Sequence, residues 1–163
     1  MNKIWTIGAL LQWTQQYFAE KGIDSPRLDA EILLAHVLKK ERIYLYAHYD
    51  EPMNGEELAA FRELVKKRGS RLSVAHILGN QAFMGLDFKV SQDVLIPRPE
   101  TEMLVETVIA AAKGTKPVVI DVGTGSGAIV LSLLSYLPEA TGFGVDISPK
   151  LGRGCREWPN LGP

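Results

Sequence analysis

The chain has 163 residues, of which 46% are hydrophobic and 23% are charged, as is typical of a globular protein with one or two domains. Its net charge of −1 argues against direct nucleic-acid binding, and no apolar run approaches the roughly 20 residues of a membrane-spanning helix. Neither a signal peptide nor a Cys/His metal cluster is evident, and the single cysteine, Cys155, excludes an internal disulfide and fits a reducing cytoplasm.

Residues 1–72 predict a small bundle of three or four helices. Apolar residues at helical spacing run from 6 to 21, and Gly22 ends this first helix. Ser25 as the cap and Pro26 as the first residue begin a second helix. The predicted apolar face of the second helix consists of Leu28, Ile32, Leu33, Ala35 and Leu38. No helix of the bundle carries an obvious catalytic group.

The rest of the bundle is one short segment and one longer helix. Apolar and aromatic residues cover 42–48, and Pro52 then interrupts the chain. Asn54 and Glu57 form a variant of the capping box, which opens a helix that ends at Gly69. The buried positions of that helix are predicted to be Leu58, Phe61, Leu64 and Val65.

Short strands are predicted beyond the bundle. Residues 74–78 are apolar, residues 79–80 indicate a turn, and residues 83–90 predict a hairpin with aromatic packing. Residues 97–102 then open a helix that is expected to end at Gly114. Taken alone, the acids of this stretch are explained by the positive end of a helix. The alternative is a hinge segment near a cofactor.

A strand, a glycine turn and a helix follow one another near residue 120. The β-branched run 118–120 predicts a buried strand, Asp121 follows it, and a helix is predicted over 128–137. The turn between them contains three glycines, Gly123, Gly125 and Gly127. Because glycine leaves no Cβ in the way of a ligand, the free N–H groups and the positive helix end predict a nucleotide-cradling site.

The glycine spacing fits two classes of nucleotide site. Gly123, Gly125 and Ala128 fit the dinucleotide pattern, whereas Asp121 followed by the three glycines fits the pattern for S-adenosyl-L-methionine (SAM). The carboxylate of Asp121 favours SAM, since it would repel a pyrophosphate but can face a cationic group. Asp146 follows about 20 residues later, where a ribose-binding acid is expected in both classes. In a plainer alternative, the glycines only turn the chain and Asp146 only caps a local turn.

Three stretches of the sequence point to one family: VAHILG at 74–79, VLIPRPETE at 94–102 and IDVGTGSGAI at 120–129. Together they resemble the HemK/PrmC-type methyltransferases, which methylate the side-chain amide of a glutamine in bacterial peptide chain release factors. Residues 25–31 in the second helix are similar too. Residues 95–102 discriminate best, because all class I methyltransferases share the glycine turn.

The resemblance implies an architecture of three parts. Residues 1–72 would form a helical substrate-recognition domain, and 73–98 a β-hairpin linker. Residues 99–163 would begin an α/β, Rossmann-like class I SAM-dependent methyltransferase domain. The resemblance also implies a release factor as the protein partner.

The resemblance also implies the cofactor and its site. SAM would be the cofactor, and Asp146 would hold its ribose hydroxyls, since an ionised carboxylate only accepts hydrogen bonds. The methionine end of SAM would be lined by Asp121, Val122, Gly123, Thr124 and Gly125, in the turn that Gly127 completes.

One element of the family is missing from the sequence. The family orients the amide with an Asn-Pro-Pro-Tyr loop, and no such motif occurs in these 163 residues, so no catalytic residue is predicted. Residues 151–163 contain three glycines and two prolines and show no helical period. We interpret them as the aberrant tail of a C-terminally truncated, inactive fragment, with a frameshift as the hypothesis. A sheet of so few strands is expected to leave an apolar face uncovered.

Two other functions stay open. The helical domain and linker can be interpreted as a non-catalytic module that binds a release factor or another protein. A dinucleotide-dependent enzyme is the weaker alternative. Such a fold usually begins with its glycine strand, which here comes after more than 110 residues.

Overall fold

The computed structural model of the protein describes residues 4–148 and the backbone of residues 154–158. The chain forms two compact units, the first ending at Leu78 and the second beginning at Gly79. The first is helical and the second combines helices with strands, which confirms the predicted order of these two kinds of structure. The residues assigned to a linker, 73–98, are divided between the units. No helix among the described residues is long and apolar enough to span a membrane.

The described part of the first unit consists of α1 (Ile7–Glu20), α2 (Pro26–Leu38), α3 (Arg42–Ala47), α4 (Gly55–Gly69) and α5 (Val74–Leu78). The predicted capping box at the start of α4 is confirmed. The Glu57 N–H donates to Asn54 Oδ1 at 2.9 Å, and the Asn54 N–H donates to Glu57 Oε2 at 3.0 Å. Ser25 holds the cap position of α2, but its side chain makes no capping hydrogen bond.

Helix α2 is buried on a wider surface than its sequence predicts. Leu33 and Leu34 have no exposed surface, whereas Leu28 is 41% exposed. The predicted apolar face is therefore wrong at Leu28, and it omits Leu34. The reason is that α2 contacts α1, α3, α4 and α5, so that no single stripe defines its buried side.

Two carboxylates of α2 are also buried. Glu31 accepts hydrogen bonds from three side chains, Arg27, Arg42 and Tyr46. Asp29 accepts one from Arg68 at 2.7 Å, which joins α2 to α4. Burial acts to raise the pKa of Glu31, but the three hydrogen bonds outweigh it and hold that pKa below its ordinary value. Glu31 therefore joins α2 to α3 as an ionised group.

The second unit opens with an antiparallel hairpin, β1 (Asn80–Phe83) and β2 (Leu86–Lys89). The predicted hairpin at 83–90 is confirmed in kind but begins earlier. Asn80 belongs to the first strand rather than to a turn. The ring of Phe83 packs edge-on against that of Phe88 at 6.1 Å, as expected for aromatic packing within the hairpin.

The turn of this hairpin depends on contacts from distant residues. Met84 and Gly85 both adopt left-handed backbone conformations, with φ of 51° and 72°. The Met84 N–H donates to Glu102 at 2.7 Å, and the Tyr136 hydroxyl donates to the Met84 carbonyl at 2.8 Å. Because a non-glycine residue seldom adopts positive φ, sequence patterns do not place the turn here.

The hairpin is followed by α6 (Pro99–Ala112), β3 (Val118–Val122), α7 (Ala128–Tyr136), β4 (Thr141–Asp146) and β5 (Gly154–Trp158). Strands β3 and β4 are parallel, and β5 pairs antiparallel with β4, in the order β3-β4-β5. Helix α7 connects the two parallel strands. Strand β5 lies in the tail predicted to be aberrant, and the rest of that tail, together with Pro149 and Lys150, lies outside the described residues.

Strand β3 is half-buried on one face and exposed on the other, so the prediction of a buried strand is wrong. Val118, Ile120 and Val122 are 66%, 65% and 80% exposed. On the other face, Val119 packs against the core cluster that includes residues of α7. Helix α7 approaches the neighbouring strand β4 so closely that a Cβ on Gly142 would lie 2.7 Å from Val130. No described residue covers the exposed face, in agreement with the expected uncovered apolar surface.

Candidate cofactor site

The glycine turn connects the carboxyl end of β3 to the amino end of α7. Gly123, Gly125 and Gly127 have φ of 79°, 54° and 80°. A Cβ at Gly123 would meet no atom within 4 Å, so this glycine is required by its backbone conformation rather than by lack of space. The Gly123 N–H donates to the Val145 carbonyl at 2.7 Å, which ties the turn to β4. The predicted succession of strand, turn and helix is confirmed.

Asp121 stabilises the turn from its own strand. Its Oδ2 accepts a hydrogen bond from the Thr124 hydroxyl at 2.9 Å, and its side chain is half-buried. The bond fixes the Thr124 side chain within the turn. One carboxylate oxygen of Asp121 has no hydrogen-bond donor among the described residues and remains free to accept one from a ligand.

Asp146 lies at the carboxyl end of β4 and reaches the same turn. Its Oδ2 accepts from the Gly125 N–H at 2.9 Å, and its Oδ1 accepts from the Ser148 N–H at 2.8 Å. These bonds, first that from Ser148 and then that from Gly125, hold the pKa of Asp146 below its ordinary value. Each oxygen keeps a lone pair, so Asp146 can still accept a hydrogen bond from a hydroxyl group.

A cavity of about 150 Å³ lies beside the turn. Its wall combines residues 123–126 of the turn with residues 95–98, Thr101, Phe83 and Ile129. Neither Asp121 nor Asp146 lines it. The structure therefore brings the predicted residues Asp121, Thr124, Gly125 and Asp146 together by hydrogen bonds, although the two carboxylates are not part of the cavity wall.

Arg98 and Thr101 were missed as site residues by sequence reasoning. Both line the cavity, and Arg98 is exposed and makes no ion pair with any described residue. The signal was present in residues 95–102, for which a position near a cofactor was the less favoured interpretation. Glu102 of the same stretch is engaged by Met84 in the hairpin turn.

The arrangement offers complementary groups to a charged ligand. The free guanidinium of Arg98 suits an anionic group, and the carboxylates of Asp121 and Asp146 suit hydroxyl or ammonium groups. Within the described residues, no group of three or more His, Cys, Asp or Glu side chains is placed to hold a metal ion.

Comparison with known proteins first defines the class of the helical region. Residues 9–79 match the family model described as the PrmC N-terminal domain. This match covers most of the first compact unit.

Curated relatives extend the likeness into the second unit. The chain is 47% identical over 147 residues to a release factor glutamine methyltransferase of Geobacter sulfurreducens, 46% over 149 residues to one of Rhodopirellula baltica, and 41% over 152 residues to one of Vibrio cholerae. These alignments cover 90%, 88% and 93% of this chain but 51%, 50% and 53% of the relatives. The chain is therefore similar to release factor glutamine methyltransferases over most of its own length, as its sequence resemblance indicated, and it spans about half the length of these relatives.

Proposed function

We propose that this chain is the SAM-binding and partner-recognising portion of an enzyme that methylates the glutamine side-chain amide of a peptide chain release factor. The names of the curated relatives support the reaction class. The observation that carries the proposal is the glycine turn, because the carboxylates of two parallel strands are both bonded to it. In this proposal, β3, α7 and β4 begin a Rossmann-like class I methyltransferase domain.

The residues of the turn fit SAM by their chemistry. Asp146 accepts hydrogen bonds from the vicinal ribose hydroxyls through its unused lone pairs. The methionine end of SAM would contact the turn, where the carboxylate of Asp121 would suit its ammonium group and the guanidinium of Arg98 would suit its carboxylate. The turn itself is formed by Val122, Gly123, Thr124, Gly125 and Gly127. When bound, SAM supplies an electrophilic methyl group for transfer to a nitrogen atom.

The chain's own residues bind and orient the cofactor but do not position the acceptor. An amide nitrogen is a poor nucleophile, so transfer needs a group that orients it and stabilises the developing charge. The family's Asn-Pro-Pro-Tyr loop would do this, and the motif is absent from these 163 residues. We therefore propose that the chain alone binds SAM without completing the transfer.

Titration calorimetry on the intact chain tests the proposal. We expect saturable binding of SAM and none of NAD. Heat released by NAD but not by SAM would overturn the assignment in favour of the dinucleotide alternative. A second assay incubates the chain with radiolabelled SAM and a purified bacterial release factor. Efficient labelling would contradict the proposed lack of transfer while supporting the reaction class.

A second candidate function is a non-catalytic module that binds a release factor or another protein. The compactness of the helical unit favours it, as does the separate family match over 9–79. Co-precipitation of a release factor by the intact chain, with and without SAM, separates the two candidates. Equal capture in both conditions, together with no SAM binding by calorimetry, would favour the module.

A further inference from the structure

A groove of about 350 Å³ opens on the surface of the helical unit. It is lined by Trp5, Trp13, Tyr17, Leu58, Arg62 and Lys66, and we call it the aromatic groove. The tryptophan and tyrosine rings of the wall come from α1 and the residues before it, and both cations come from α4. None of the residues that line the groove is acidic.

The three aromatic rings pack against one another in sequence, and two of them are stacked. Trp13 lies parallel to Tyr17 with centroids 5.4 Å apart and an interplanar angle of 6°, and Trp5 packs edge-on against Trp13 at 6.3 Å. Despite these contacts, Trp13 is 49% exposed. A rigid indole that is half in water beside a cavity offers a partner a large apolar surface at low cost in conformational entropy.

The charged side chains that line the groove are positive, and they are available to pair with the carboxylates of a partner. Arg62 forms no salt bridge with any described residue, and Lys66 pairs with Glu63 at 2.7 Å on a surface where both side chains are 63% exposed. Because water screens such an exposed pair, it contributes little to stability, and an incoming carboxylate can replace Glu63. Lys21 lies 5.6 Å from the centre of the Tyr17 ring, which adds a third cation near the stack.

We propose that the aromatic groove binds an acidic, apolar segment of a partner protein. A large aromatic or aliphatic side chain of that segment packs against Trp13, and its carboxylates pair with Arg62 and Lys66. Tryptophan, tyrosine and arginine are the residue types that dominate protein–protein hot spots, and all three meet here. A groove of this volume suits one or two large side chains. The proposal goes beyond the SAM site and holds whether or not the chain binds SAM.

Selection from a displayed library of random twelve-residue peptides on the intact, immobilised chain tests this proposal. We expect enriched peptides to combine an aromatic or large aliphatic residue with neighbouring Asp or Glu. The best of them should quench the tryptophan fluorescence. The double variant Arg62→Glu/Lys66→Glu should weaken its binding about tenfold or more, since both attractions become repulsions. Trp13→Ala should weaken binding by a similar factor.

The matched control is Lys67→Glu, which reverses an exposed charge on the same helix outside the groove. It should change peptide affinity less than about twofold. Circular dichroism melting confirms that each variant is folded.

Failure to enrich any peptide over a blank surface would overturn the proposal. So would equal affinity of the enriched peptides for the double variant. Sedimentation velocity tests whether a second copy of the chain, rather than a partner protein, occupies the groove. A dimer that dissociates in the double variant would show that a second copy fills the groove, and the proposed partner would be wrong.

Discussion

The two units of the molecule differ in how they use carboxylates and apolar side chains. In the helical unit, Glu31 and Asp29 are buried against arginines, and Leu34 is fully enclosed. In the second unit, Asp121 and Asp146 bond only to a hydroxyl and to backbone N–H groups, and Ile120 is exposed. Charge pairs therefore stabilise the first unit, while the carboxylates of the second are arranged around a turn that a ligand can reach.

The largest expected effect is on the free energy of unfolding, and it tests the difference in apolar burial between the two units. Leu34→Ala should lower the free energy of unfolding of the helical unit by about 2–5 kcal/mol, because it leaves a cavity in an enclosed core. Ile120→Ala is the matched control in the second unit and should change stability by less than about 0.5 kcal/mol. Urea unfolding followed by hydrogen-exchange mass spectrometry assigns each change to its unit. Equal losses of stability in the two variants would contradict the difference in apolar burial between the units.

The next effect concerns the buried carboxylate of α2. Glu31→Ala should cost about 2–3 kcal/mol, since it removes charge-assisted hydrogen bonds to Arg27, Arg42 and Tyr46. The lowered pKa of Glu31 means that its contribution is present above the ordinary pKa of a glutamate and is lost as pH falls through the folded-state value. Urea midpoints between pH 7 and pH 3 should fall more steeply for the wild type than for the variant. If the urea midpoints of the wild type and the variant fell in parallel with pH, ionised Glu31 would not be the source of this stability.

A smaller effect is expected at the turn. Asp146→Asn should weaken SAM binding about tenfold, because the amide presents fewer acceptors to the ribose hydroxyls. The pKa of Asp146 is lowered, so SAM affinity in the wild type should persist below the ordinary pKa of an aspartate and be lost only as pH falls through the lowered value. Calorimetry at several pH values checks both statements. Unchanged affinity in the variant would show that Asp146 only braces the turn.

The smallest expected effect tests whether Arg98 pairs with the carboxylate of SAM. Arg98→Met keeps an unbranched apolar side chain but removes the guanidinium charge, and it should weaken SAM binding about fivefold. Decarboxylated SAM lacks the carboxylate that Arg98 is proposed to face, so its affinity should be the same for wild type and variant. Equal weakening of both ligands would assign Arg98 a packing role instead.

Features set by neighbouring residues were predictable from the sequence. The capping box at Asn54 depends on two residues three positions apart, and the glycine turn depends on three glycines within five residues, each of which adopts positive φ. Both were predicted in place. The pairing of β5 with β4 was not predicted, because residues 151–163 show no strand signal of their own.

Features that depend on distant contacts were not predictable in the same way. Leu34 is buried because four helices contact α2, and Met84 turns the hairpin because Glu102 and Tyr136 bond to its backbone. Arg98 lines the cavity because α6 begins beside the glycine turn. In each case the deciding partner lies on another element, which a periodic pattern within one segment does not reveal.

The bond between Gly125 and Asp146 also bears on which nucleotide the turn selects. An amide that already donates to an aspartate is unavailable to a phosphate oxygen. A ligand with a sulfonium centre and no phosphate does not need that amide. If the turn binds SAM, as proposed, the engaged Gly125 amide would favour SAM over a cofactor that has to place its diphosphate there.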